Sequence, residues 1–163
     1  LNSVDPSTTV MLDLFETCRD VVFEEHQWAF ANVQLELTEY SGDVPLGWTF
    51  AYEYPTGNAA AVWTVFSEGT TEEKDEQDFD TIYVPDENVR VIVTNLDEAV
   101  VEYTSIIEDP EEWTAKFAHA LSYNLAASTA SYLTGDAEKG LKLLSIYGAL
   151  IADVKRVDAS PFT

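Results

Sequence analysis

Asp109-Pro110-Glu111-Glu112 and, further on, Leu133-Thr134-Gly135-Asp136 decide the architecture of this 163-residue chain. The first quartet supplies a capping carboxylate, a proline for the first helical position and two acids for the first turn. Between the quartets, Phe117, Leu121, Leu125, Ala126, Ala130 and Leu133 recur at helical spacing. Gly135 tolerates the left-handed conformation that closes a helix, and Asp136 offers a cap for the next one. Leu143, Tyr147, Leu150, Val154 and Val157 then resume the same period. The spacing predicts a long helical hairpin over residues 109–158.

Outward from the hairpin, Asp5-Pro6 repeats the cap-and-proline grammar at the other end of the chain. Met11, Leu14, Phe15, Cys18, Val21 and Val22 follow as an amphipathic helix that should stop near residues 25–28. The period then shifts from about 3.6 to 2. Val33, Leu35 and Leu37 alternate with polar residues, and so do Trp48, Phe50, Tyr52 and Tyr54 before Pro55. Residues 61–66, 81–84, 89–94 and 99–107 read as further strands, separated by turns such as Thr56-Gly57-Asn58, Pro85-Asp86-Glu87-Asn88 and Asn95-Leu96-Asp97. The expected fold class is α+β. An N-terminal helix (1–31) and the C-terminal helical hairpin (109–163) should form a helical bundle, with an antiparallel β-sheet or small sandwich inserted between them (32–108). Trp28 and Phe30 fall at the helix–sheet junction, where Trp28 is expected to wedge between the layers.

The composition supports a folded core: 46% of residues are hydrophobic and 12% aromatic, which sets the chain apart from a disordered one despite its charge. The lone cysteine, Cys18, excludes an internal disulfide and reads as a small buried hydrophobe. No run approaches the roughly 20 apolar residues that span a bilayer. The first residues lack the basic start and apolar core of a signal peptide, so Leu1 reads as a trimmed or processed end.

The net charge of −22 is unevenly placed. Residues 1–109 hold 24 acidic residues against Arg19, Lys74 and Arg90, whereas residues 110–163 hold six against five basic ones. A basic nucleic-acid footprint is missing, and an anionic membrane would repel the chain. The acid could line a passage through which DNA slides, imitate DNA toward a basic partner, or keep the protein soluble in high salt. The low lysine content suits the last of these. Its densest stretch carries Glu72, Glu73, Asp75, Glu76, Asp78 and Asp80, either as a solvated loop or as a lumen- or partner-facing one.

The residues offer little for catalysis. His26 and His119 lack metal-ligand spacing and read as structural, and residues 74–80 alternate like a calcium loop but lack its glycine. There is no nucleophile elbow and no phosphate-cradling glycine loop. Acid pairs are too abundant for any one to be informative. The expectation is a non-enzyme without metal or cofactor. Two patterns stay open between packing and binding. The aromatics Trp48, Phe50, Tyr52 and Tyr54 suit a core face or a stacking platform. Ala118, Ser122, Ala126 and Ala130 suit tight packing within the hairpin or contact between subunits.

Several of these segments together resemble the tail tubular protein A family, the head-to-tail adaptors of short-tailed phages. The resemblance runs from about Arg19 to Asp158. It rests on Arg19-Asp20 before Trp28-Ala29-Phe30-Ala31, and on Trp48 with Ala51-Tyr52 and Tyr54-Pro55. Tyr103 and Asp109 continue it, followed by Phe117, Ala120-Leu121, Leu125-Ala126, Leu133-Thr134-Gly135-Asp136, Tyr147 and Ala152. Two features depart from the family pattern: its further N-terminal helix is not represented here, and Thr56-Gly57-Asn58-Ala59 stands where the family has a Pro-x-Asp-Cys-like segment. The resemblance implies a structural virion protein of the tail or neck, assembled in the host cytoplasm. It implies a ring of identical copies, about twelve, below a portal protein and above a downstream tail or nozzle protein, with DNA passing through the lumen. The acids from Glu72 to Asp80 are then expected to face the channel, and Ala118, Ser122, Ala126 and Ala130 to make subunit contacts. The competing expectation is an acidic binding module, such as a DNA mimic acting on a basic partner.

Overall fold

The computed structural model describes residues 5–67 and 77–158. Its class is mixed α+β, and the chain divides into a helical unit, Leu1–Phe30 with Ile107–Thr163, and a β unit, Ala31–Ile106.

In the helical unit, α1 (Pro6–Glu25) begins with its proline behind Asp5, although the Asp5 carboxylate makes no capping bond. The hairpin starts later than its sequence grammar suggests. Asp109 caps only a single 3-10 turn, Pro110–Glu112, with its carboxylate accepting from the Glu111 N–H at 3.0 Å. The cause is Trp113. Its indole N–H donates to the Ile107 carbonyl at 2.7 Å, and its ring lies against Phe15 and Phe117, which fixes an extended backbone that no helix can pass through. The long helix α2 (Ala115–Thr134) starts behind Thr114, whose hydroxyl accepts from the Phe117 N–H at 3.4 Å. It ends at Gly135, whose φ of 68° places it in the left-handed region a glycine takes without strain. Asp136 then accepts from the Glu138 N–H at 3.0 Å and opens α3 (Ala137–Asp158).

Helix α2 packs on both α1 and α3. On the α1 side, Phe23 and Phe117 are fully buried with ring centroids 4.2 Å apart. On the α3 side the helices come close at Gly140, where a Cβ would lie 3.5 Å from the Ala127 carbonyl oxygen and 4.0 Å from the Ala130 methyl.

The β unit contains two three-stranded antiparallel sheets. The first, in the order β1-β6-β3, joins β1 (Asn32–Glu36), β6 (Ala99–Ser105) and β3 (Ala59–Ser67). The second, in the order β2-β5-β4, joins β2 (Phe50–Glu53), β5 (Val89–Thr94) and β4 (Phe79–Val84). The two share one core: Tyr52 and Ile92 from the second sheet pack with Val65, Ala99 and Val101 from the first. A further cluster of Tyr40, Ala51, Val91 and Val93 covers the opposite face of the second sheet, so β5 is buried on both faces.

Two details depart from simple alternation. Trp48 does not share a face with Phe50, Tyr52 and Tyr54. The strand begins only at Phe50, and Trp48 packs with the Tyr40 cluster while the other three join the inter-sheet core. In β3 the register slips between Val62 and Thr64, which pair with Tyr103 and Glu102. This bulge leaves Trp63 without an opposite residue and lets Val62 and Val65, three positions apart, both reach the inter-sheet core.

Candidate functional site

Of the six acids expected to face a channel, Glu72, Glu73, Asp75 and Glu76 lie outside the described residues. Asp78 and Asp80 are exposed at the start of β4, an edge strand of the second sheet. The Asp80 carboxylate accepts from the Thr81 N–H at 2.7 Å, and the Asp78 carbonyl accepts from the buried Thr94 hydroxyl at 2.9 Å. Charges on an edge strand also discourage unwanted strand pairing, so these two carboxylates have a local role in addition to any partner they meet.

The stripe Ala118, Ser122, Ala126 and Ala130 divides. Ala130 is buried beneath Gly140 of α3 and is therefore used inside the hairpin. Ser122 is exposed with its hydroxyl turned back to the Ala118 carbonyl at 2.8 Å, and Ala118 and Ala126 are half-buried. Trp28 is buried, its indole N–H donating to the Val22 carbonyl at 2.8 Å and its ring edge-on to Phe117 and His26. Phe30 is half-buried and packs on Phe23 and Phe117. These aromatics form one cluster within the helical unit. His119 is exposed and stacks on Tyr123.

Three features escaped the sequence reading. The first is a cleft of about 470 Å³ in the β unit, bordered by Tyr40, Glu53, Tyr54, Glu87 and Arg90. The neighbouring Glu87 carboxylate raises the Tyr40 phenol above its ordinary pKa of 10, with burial and the charge of Asp43 acting in the same direction. The Tyr40 phenol therefore keeps its proton to higher pH than a free tyrosine does. The Arg90 guanidinium lies 5.9 Å from the centre of the Tyr54 ring. Gly42 makes this arrangement possible, because a Cβ there would come within 2.4 Å of the Tyr40 ring.

The second is Glu102, buried in the middle of the first sheet. Asn32 of β1 donates to one of its oxygens, and the Thr64 hydroxyl of β3 donates to the other at 3.4 Å. Beside them the Trp63 indole N–H donates to the buried Thr104 hydroxyl at 2.7 Å. A buried carboxylate survives where neighbouring strands supply donors. Its alternation with Val101 and Tyr103 does not distinguish a buried carboxylate from a solvent-facing one, and the Trp63 bulge that brings Thr64 opposite it has no sequence signature.

The third is an apolar flank of the hairpin. Leu141 is 67% exposed and Leu144 51% exposed. They border a shallow groove with Ala127, Ser131, Ala137 and Gly140.

Among the described residues, no three or more His, Cys, Asp and Glu side chains converge to hold a metal ion. No described helix is long and apolar enough to cross a membrane. No protein-family model matches the chain, and no curated protein matches it in sequence.

Proposed function

We propose that this chain is a structural virion protein, a head-to-tail adaptor whose copies close into a ring below a portal protein and extend the DNA channel toward the tail. The observation that carries the reading is the division of charge. The segment 31–106 has 16 acidic residues against Lys74 and Arg90, whereas α2 and α3 together have three acidic residues against five basic ones. A passage lined with carboxylates repels the phosphate backbone. It also lacks the Lys and Arg contacts whose counterion release makes proteins adhere to DNA. Asp78, just before β4, and Asp80, on it, are exposed and suited to such a lining. The hairpin, whose charges nearly balance, is the part of the molecule on which copies of so acidic a chain can approach one another.

In this reading α1, α2 and α3 form a single bundle that carries the ring contacts, and the β unit is the insertion that presents the acid. The protein binds DNA neither specifically nor tightly and performs no reaction. It assembles in the host cytoplasm and ends in the neck of the virion, with about twelve copies between the portal and a downstream tail protein.

The test is a mass measurement by light scattering, with particle imaging, on the full chain alone and mixed with the portal protein of the same virus. A ring docked on portal is the expected outcome. A chain that stays monomeric and never joins portal refutes the reading. If it instead captures a basic protein in competition with DNA, the acid serves mimicry.

A further inference from the structure

We infer that copies of this chain join head-to-tail, the acidic outer face of α1 from one copy lying on the apolar flank of the α2–α3 hairpin of the next. The inference deepens the adaptor reading by naming the contact. It rests on that reading only for closure of the ring.

The receiving surface is the flank of α3 that carries Ala137, Leu141, Leu144 and Gly148. Their spacing of four, three and four residues draws them into one stripe along the helix. Leu141 and Leu144 are more than half exposed, and with Ala127 and Ser131 of α2 they border an open groove. Exposed apolar side chains gathered into one stripe are what an interaction surface presents, whereas ordinary surface scatters them singly. Lys142 is exposed beside Leu141; farther along the same helix Lys155 lies 4.0 Å from Glu25 and Arg156 lies 2.7 Å from Asp153, both within the chain, so Lys142 is the cation that borders the groove.

What covers the groove follows from charge. Helix α3 has four basic residues against three acidic ones, and α2 has Lys116 and no acid. A second copy offers the complement. Helix α1 carries five acids and only Arg19. Asp13, Glu16, Asp20 and Glu24 are spaced three, four and four apart, so they fall on one face, and Asp13, Glu16 and Glu24 are exposed. Beside Glu16 on that surface stands Leu12, 64% exposed and able to enter the groove. Each copy therefore owns one donor face and one different acceptor face. Such contacts are heterologous, and they generate closed rings or open filaments rather than two-fold dimers.

The experiment uses the full chain and sedimentation velocity over a concentration series. The wild type should associate beyond a dimer. Leu141→Asp should shift the association midpoint upward by about a hundredfold, because it places a carboxylate against the acidic helix. Asp13→Lys with Glu16→Lys should weaken association by about tenfold or more, and adding Lys142→Glu to that variant should recover most of the loss. All of these positions are exposed, and unchanged circular dichroism and thermal midpoints would show that the fold is kept. A wild type that is monomeric at every concentration overturns the inference, as does a Leu141→Asp chain that associates normally or a charge swap without recovery. A chain that associates through these faces but ignores portal leaves the inference standing and removes the adaptor reading.

Discussion

Replacing Tyr147 by phenylalanine should make this protein more stable, and increasingly so in alkali. Tyr147 lies on the inner face of α3, and its hydroxyl is buried. Asn124 is the neighbouring polar side chain, but the hydroxyl finds no hydrogen-bond partner of normal geometry among the described residues. In the unfolded chain that hydroxyl is solvated. A buried polar group left unsatisfied costs about 1–3 kcal/mol. Tyr147→Phe keeps the ring and its packing and removes only the orphaned group, so a gain of about 1 kcal/mol is expected, or about 2–4 °C in Tm for a chain of this size.

The pH dependence gives a second, independent reading. Burial pushes the Tyr147 phenol up to about 12, the Glu25 charge adds to the effect, and Asn124 opposes it, against an ordinary value of 10. Below pH 10 the phenol is neutral in both states and contributes no slope. Between pH 10 and 12 the unfolded chain releases the proton while the folded one retains it, so wild-type stability falls as pH rises. At pH 11 the loss from this group is about 1.4 kcal/mol. Tyr40 and Tyr52 are also raised and act in the same direction, but they are common to both proteins and cancel in the difference. Urea unfolding of both proteins at pH 7 and pH 11 measures it. A variant less stable by about 1 kcal/mol at pH 7 would mean that the hydroxyl makes a productive bond to Asn124. A gap that fails to widen at pH 11 would refute the burial argument itself.

Three further substitutions test other parts of the fold. Glu102→Ala removes the acceptor that Asn32 and Thr64 use in the first sheet and should cost about 1–3 kcal/mol in urea unfolding, whereas Glu102→Gln, which keeps an acceptor of the same shape, should cost less. Gly42→Ala places a methyl within 2.4 Å of the Tyr40 ring, so the ring must leave its seat; a loss of about 1–3 kcal/mol is expected, with a Tyr40 phenol titrating closer to 10 in ultraviolet absorbance. Gly135→Ala forces a side chain into the left-handed region at a φ of 68° and should lower stability by about 1–2 kcal/mol, although its Cβ would meet no other atom.

The helix ends show how far local chemistry can be read. Gly135 and Asp136 act as their residue types imply, because a left-handed turn and a side-chain cap involve only adjacent backbone. Asp109 behaves by the same rule but caps a 3-10 turn. What stops that turn is the seating of Trp113 on Phe15, nearly a hundred residues away in the chain, which local spacing does not encode. The strands divide in the same way. Val91, Ile92 and Val93 form a strand buried on both faces, and their unbroken β-branched run says so. The Trp63 bulge, the turning of Trp48 away from Phe50 and the burial of Glu102 depend on pairing partners that alternation leaves undefined. The candidate contact surface follows the same logic. An alanine stripe looks identical whether it meets a neighbouring helix or a neighbouring subunit, and Ala130 meets Gly140 of its own chain. The exposed Leu141 and Leu144 escaped notice because their spacing matches that of a helix interior.

The helical unit is interrupted in sequence, with 76 residues of the β unit, Ala31–Ile106, standing between α1 and the hairpin that buries Phe23 against Phe117. During synthesis α1 therefore leaves the ribosome about 4–15 seconds before its packing partner exists, at ordinary elongation rates. The β unit has all its strands by the end of that delay, before the hairpin is made, and is free to fold first. The nascent α1 meanwhile carries five carboxylates along its length, which keep its unpaired apolar side in solution until α2 arrives.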